Sequence, residues 1–176
     1  MWLPWWHLQH RLKSKNTEIS SPERARQYAL RLLAARDYTS ARLRDKLTEK
    51  NYSSNDAECV IQQLKSEGWI DDRRFAQRFA ESASASGRFC GPRLRQEMRR
   101  RGLPDDVVND MMGRIREEYD EVAGVTAILE RRYPDFPRSP GNDKEKQRII
   151  GFLQRRGFNI SVIMHALREI TNNEIS

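Results

Sequence analysis

The feature that most constrains this chain is internal repetition. Three segments align without a gap: "RLRDKLTEKNYSSNDAECVIQQL" from Arg42, "RLRQEMRRRGLPDDVVNDMMGRI" from Arg93, and "RIIGFLQRRGFNISVIMHALREI" from Arg148. Each begins with an apolar pair spaced by four: Leu43 and Leu47, Leu94 and Met98, Ile149 and Leu153. Residues four apart share one helical face. A cation follows at Lys50, Arg101 and Arg156, where it faces the negative end of the helix dipole. Asn51, Gly102 and Gly157 come next, residue types that accept the left-handed conformation ending a helix. Tyr52, Leu103 and Phe158 can then fold back on the helix just finished.

A second apolar stripe completes each segment: Ala57, Val60, Ile61 and Leu64; Val108, Met111, Met112 and Ile115; Ile163, Ala166, Leu167 and Ile170. Ser53 or Ser54, Pro104 and Asn159 are start signals for these helices. A further helix precedes each copy. Ser21 and Pro22 open the first, with Ala25, Tyr28, Ala29, Leu32 and Leu33 as its stripe. Asp71 or Asp72 caps the second, with Phe75, Phe79 and Ala83. Val122, Val125, Ile128 and Leu129 serve the third. No alternating strand pattern occurs. The expectation is an all-α protein: an elongated, curved array of three tandem three-helix repeats, about nine helices, with no β-sheet. The expected boundaries are 21–70, 71–118 and 119–171. A flexible tryptophan-rich leader is expected at 1–20, a proline-rich loop at 133–143 inside the third repeat, and a frayed tail at 172–176.

The three copies differ in charge. "CGPRLRQEMRRRGL", from Cys90, holds five arginines in fourteen residues. From Arg88 to Leu103 there are six arginines and one acid, Glu97. With Leu94 at the centre of the buried face, Met98 lies about 40° away. Arg93 and Arg100 then fall on one shoulder, Arg95 and Arg99 on the other, and Gln96 points outward. Clustered cations repel one another by a few tenths of a kcal/mol per pair, which an acidic partner would offset. Arg101 has a helix-end role in common with Lys50 and Arg156. Arg93 recurs as Arg42 and Arg148, which suggests a repeated structural ion pair. The whole chain carries a net charge of +7, in keeping with a nucleic acid or an acidic protein surface as partner.

Other chemistry is weakly supported. The sequence has no Walker loop, GxGxxG turn, HExxH helix or nucleophile elbow. His7 and His10 stand in the leader with no third ligand, and His165 lies in the last helix. Asp71–Asp72 and Asp105–Asp106 read as acids at helix N-termini rather than metal ligands. Cys59 and Cys90 lack ligand spacing and read as reduced cysteines of a cytoplasmic protein. The apolar run around Trp2, Trp5 and Trp6 is too short to cross a membrane. No catalytic residue, cofactor or metal is expected, and the chain reads as a non-enzyme.

The segments "ALRLLAARDYTSARLRDKL", "GWIDDRRFAQRFAES", "GPRLRQEMRRRGL" and "FLQRRGFNISVIMHAL" resemble the RecX family of bacterial regulatory proteins. The resemblance runs from about Glu23 to Ile170. Asn51 stands where the family usually has glycine, and the leader has no counterpart. The resemblance implies a regulator that binds the RecA–DNA filament in its helical groove. It further implies inhibition of RecA's recombinase, ATPase and co-protease activities. Some members also bind DNA directly. The candidate contact residues are Arg88, Arg93, Arg95, Arg99, Arg100 and Arg101 in the middle copy. Arg42, Lys46 and Lys50 extend them in the first, and Arg148, Arg155 and Arg156 in the third. The shoulder of Arg95 and Arg99 is expected to matter most. The expected partners are RecA in its filament and, weakly and with strong salt dependence, single- or double-stranded DNA, with no membrane and a monomeric chain. The competing class is a non-specific DNA-binding helical repeat protein without a protein target. Aromatics interleaved with the arginines would favour it, and Phe89 is the only one beside the cluster in sequence.

Overall fold

A computed structural model of the chain describes residues 22–134, 136 and 143–173. The leader, Ser21, most of the proline-rich loop and the last three residues lie outside them. Among the described residues the chain forms nine helices and no strand. They are α1 (Pro22–Ala35), α2 (Ser40–Glu49), α3 (Ser54–Ser66), α4 (Asp72–Ser86), α5 (Gly91–Arg100), α6 (Asp105–Glu118), α7 (Glu121–Arg132), α8 (Asp143–Arg155) and α9 (Ile160–Asn173).

The repeated turn closes α2, α5 and α8 in the same way. Asn51, Gly102 and Gly157 have φ of 67°, 75° and 99°. The amides of Tyr52, Leu103 and Phe158 donate to the carbonyls of Leu47, Met98 and Leu153, five residues back, at 3.1, 3.3 and 3.3 Å. That is the long bond of the Schellman motif, and it satisfies carbonyls that a helix end would leave unpaired. Helix starts also follow their side chains. Thr39 accepts from the Arg42 amide, Ser53 from Asp56, and Asp71 from Arg74.

The helices pack in threes. Extensive contacts pair α1 and α2 with α3, α4 and α5 with α6, and α7 and α8 with α9. Three separate cores result. Ala25, Ala29, Leu43, Leu47, Val60, Ile61 and Leu64 build the first. Ala76, Ala80, Leu94, Met98 and Val108 are central to the second. Val125, Leu129, Ile149, Leu153, Ile163 and Leu167 are central to the third. Leu94 and Met98 are buried and Gln96 is exposed, as the periodicity of α5 requires.

Modules meet at the ends of their second helices. Thr39 Oγ1, at the start of α2, donates to the Arg101 carbonyl at the end of α5 (2.6 Å). One module further on, the Cys90 amide donates to the Arg156 carbonyl at the end of α8 (2.8 Å). Thr39 and Cys90 occupy one repeat position, and Arg101 and Arg156 another. The same contact therefore recurs, positive helix end against negative helix end.

This contact explains the departure at Asn51. A Cβ on Gly102 would lie 2.6 Å from the Ala41 Cβ; one on Gly157 would lie 2.1 Å from the Cys90 carbonyl oxygen. Both positions need glycine because a neighbouring helix start presses on them. Asn51 is exposed. It needs only the left-handed backbone, which asparagine tolerates.

Candidate functional site: the arginine-rich module junctions

The α5 arginines divide as the helical wheel requires, but they are not bare. Glu97, only 5% exposed, faces Arg101, Arg93 and Arg100 at 2.8, 2.9 and 3.9 Å. The hydrogen bond from Arg101, reinforced by the charges of Arg101, Arg93 and Arg100, holds its carboxyl below the usual carboxylate range. Arg101 also lies over the Phe79 ring, 4.1 Å from its centroid. On the other shoulder, Arg95 donates to Asn109 Oδ1 and Arg99 pairs with Asp105 at 2.8 Å. Both partners belong to α6. The shoulder of Arg95 and Arg99, expected to matter most, is thus tied to its own module, while the Arg100 side chain is 74% exposed and, among the described residues, pairs with an acid only through the long contact to Glu97.

In the first copy, Arg42 donates to the Arg100 carbonyl across the junction (2.8 Å) and approaches Asp45 at 3.8 Å. Lys46 pairs with Glu49, and Lys50 is exposed. In the third copy, Arg148 and Arg155 are exposed and Arg156 is half-buried. Acids knit the first junction. Asp72, 8% exposed, accepts from the Ser40 amide and hydroxyl at 2.8 and 2.7 Å and pairs with Lys65. Asp37 pairs with Arg78 at 3.1 Å.

The second junction brings the candidates Arg88, Arg93 and Arg156 together with three residues that sequence reasoning missed, Arg131, Arg132 and Phe152. Arg156 donates to the Gly87 carbonyl at 2.6 Å, and Arg131 donates to the Ser86 carbonyl at 3.2 Å. Both guanidiniums thereby sit at the negative end of α4. Arg132 and Arg156 lie over one ring, Phe152, 4.7 and 4.3 Å from its centroid. Arg88 and Arg93 share the Phe89 ring at 5.5 and 5.9 Å. Phe89 is therefore not the only aromatic among the candidate arginines; Phe79 and Phe152 join it through the fold. Burial, followed by the charges of Arg132, Arg131 and Arg88, holds the Arg156 guanidinium below its ordinary pKa. It still carries its charge at neutral pH. Two signals were present in sequence: the adjacent Arg131 and Arg132, and Phe152 standing in the repeat position of Glu97.

Cys90 is buried in the third core although it belongs to the start of α5. Burial, with the nearby Glu121 carboxylate adding to it, pushes its thiol up to about 12. Among the described residues no group of three or more His, Cys, Asp or Glu could hold a metal ion. No described helix is long and apolar enough to cross a membrane.

Three helical modules, joined end to end by their second helices and carrying cations at both junctions, define a helical-repeat protein. Comparison with known proteins identifies which one. Family models described as the first, second and third three-helix domains of RecX match residues 25–64, 71–112 and 118–167. The chain belongs to the RecX family of regulatory proteins. It is 38% identical over 135 residues to the regulatory protein RecX of Trichlorobacter lovleyi, covering 77% of this chain and 88% of that one. To a Thermus thermophilus protein of the same name it is 36% identical over 142 residues, covering 80% and 88%. The fold matches the crystal structure of RecX from Lactobacillus salivarius with a TM-score of 0.70 at 16% identity, over 85% of this chain and 96% of that one.

Proposed function

We propose that this chain binds the RecA–DNA filament and inhibits RecA's recombinase, ATPase and co-protease activities. Family membership supports RecA as the target. The observation that carries the contact surface is the continuity of its cations. Arg42 bonds to the end of α5 beside Arg100, Arg100 and Arg93 share Glu97, and Arg93 and Arg88 share Phe89. Arg88 in turn lies close enough to Arg156 to act on its charge. Candidates from all three copies thus form one connected series, suited to an extended acidic surface.

Because Arg95 and Arg99 hold partners on α6, the series runs along the Arg93 and Arg100 shoulder. A guanidinium desolvated at the centre of a contact contributes about 1–3 kcal/mol. The test is RecA ATP hydrolysis on single-stranded DNA, titrated with the full chain and folded variants. Wild type slows hydrolysis; Arg42→Ala/Arg100→Ala needs roughly ten- to a hundredfold more protein; Arg95→Ala/Arg99→Ala stays near wild type. Wild type without effect on hydrolysis would defeat the reading, and equal potency of all three would remove the arginines from it.

A further inference from the structure

The two junctions share a skeleton but not a charge balance. At the first, Arg101 has a carboxylate four residues back, Glu97, at 2.8 Å. At the second, the same position is Phe152, and Arg156 meets a ring in place of an acid. Asp37 at the first junction corresponds to Arg88 at the second. Among the described residues, Arg88, Arg131, Arg132 and Arg156 form no ion pair with any carboxylate.

These four cations are nonetheless held in place. Gly87 and Ser86 carbonyls fix Arg156 and Arg131. The Phe152 ring bears Arg132 and Arg156, and the Phe89 ring bears Arg88. A guanidinium stacked on a ring or bonded through one nitrogen keeps other N–H groups for a ligand, since it has five. Guanidiniums collected without a carboxylate are a ready receptor for a forked anion. Arg93, although paired with Glu97, continues the line of guanidiniums beyond Phe89, so the cations are arranged as a series rather than as a single nest. A ligand with one negative charge repeated at every unit fits a series of one sign, as the phosphodiester backbone does.

We propose that Arg88, Arg131, Arg132 and Arg156, at the junction of the second and third modules, form a phosphate-binding site for a single strand of nucleic acid. The proposal deepens the reading above by assigning the nucleic-acid part of the contact, and its test needs no RecA. A short fluorescein-labelled oligodeoxythymidylate is titrated with the full chain, and anisotropy is followed from low to physiological salt. Arg88→Gln/Arg132→Gln weakens binding about tenfold or more. With two phosphates no longer neutralised, the slope of log affinity against log salt falls by about 1.4. Arg88→Lys/Arg132→Lys, which keeps the charges, retains most of that slope. Arg73→Gln/Arg78→Gln, which removes equal charge from arginines already paired with acids, leaves affinity within about twofold.

Three results would each overturn the site: an unchanged Gln double variant, an equal loss from Lys and Gln variants, or an equal loss from the paired-arginine control. Polyglutamate competing as well as unlabelled oligonucleotide would assign the cluster to an acidic protein segment instead. Loss of oligonucleotide binding with intact slowing of RecA ATP hydrolysis separates this site from the filament contact. The reverse result, intact oligonucleotide binding with lost slowing, would overturn the site and assign these arginines to the filament contact.

Discussion

The junction between the first and second modules and that between the second and third are built on the same end-to-end contact. Thr39 meets the Arg101 carbonyl at one, and the Cys90 amide meets the Arg156 carbonyl at the other. Around that shared contact the chemistry diverges. The first junction is internally neutralised: Glu97 collects three arginines, Asp72 holds Ser40 and Lys65, and Asp37 holds Arg78. The second is bonded by backbone carbonyls and aromatic rings, which position guanidiniums without cancelling their charge. The comparison teaches that repetition conserves the mechanical contact and leaves the electrostatics free to specialise. Short ion pairs such as Arg101 with Glu97 offset charge inside the fold, whereas arginines held by carbonyls and rings, or paired only at long range as Arg42 and Arg100 are, keep more of theirs.

The comparison breaks most visibly at the glycines. Gly157→Ala puts a Cβ 2.1 Å from a backbone oxygen and a left-handed φ on alanine. It is expected to cost at least about 2 kcal/mol and to open the second junction, read as a lower thermal midpoint. Gly102→Ala meets a methyl group 2.6 Å away and should cost less. Equal and small effects would mean that the junctions are not tight. Glu97→Gln is expected next, at about 1–3 kcal/mol, because it removes the carboxylate from Arg101 and Arg93. Its folded pKa is depressed, so its stabilising effect is present above the unfolded value of about 4.3 and is lost as pH falls through the folded one. Wild type and Glu97→Gln should therefore begin to converge in thermal midpoint as pH falls below about 4.3. A gap that stays constant through the acid range would assign the loss to packing.

Phe152→Glu sharpens the contrast from the other side. It places a carboxylate four residues before Arg156, as Glu97 is before Arg101, and should weaken oligonucleotide binding about tenfold. Phe152→Gln, similar in size and uncharged, is the control; equal losses would mean that the ring, not the missing acid, is what counts. The smallest effect belongs to the turn that no described module covers. Asn51→Gly should raise stability by a few tenths to about 1 kcal/mol, by relieving the left-handed asparagine. A loss of stability there would mean that the Asn51 side chain has a role of its own.

Much of the fold was legible because the repeat states it three times. The apolar stripes placed Leu94 and Met98 inside and Gln96 outside, and the turn chemistry placed left-handed residues at Asn51, Gly102 and Gly157. The end-to-end contact was not legible, since nothing local links Thr39 to Arg101 across sixty-two positions. Within the candidate surface, the two shoulders of α5 were readable from angles alone. What each shoulder meets was not, because Asn109 and Asp105 come from α6 and their reach depends on the packing of two helices. Arg131 and Arg132 escaped notice because they end a first helix, outside the repeated segment. Phe152 stands inside the repeated segment, and only register comparison with Glu97 reveals what it replaces.

Cys90 has a consequence for how the array comes apart. Its backbone begins a helix of the second module, while its side chain completes the core of the third. Separate cores joined by a few polar bonds can open one at a time. Loss of the third module would strip Cys90 of its cover and return its thiol toward the ordinary value of about 8.5, while Cys59 is exposed throughout. The chain thus carries a clock beside a reference: the rate at which Cys90 is alkylated, measured against Cys59, times the parting of two modules without any added label.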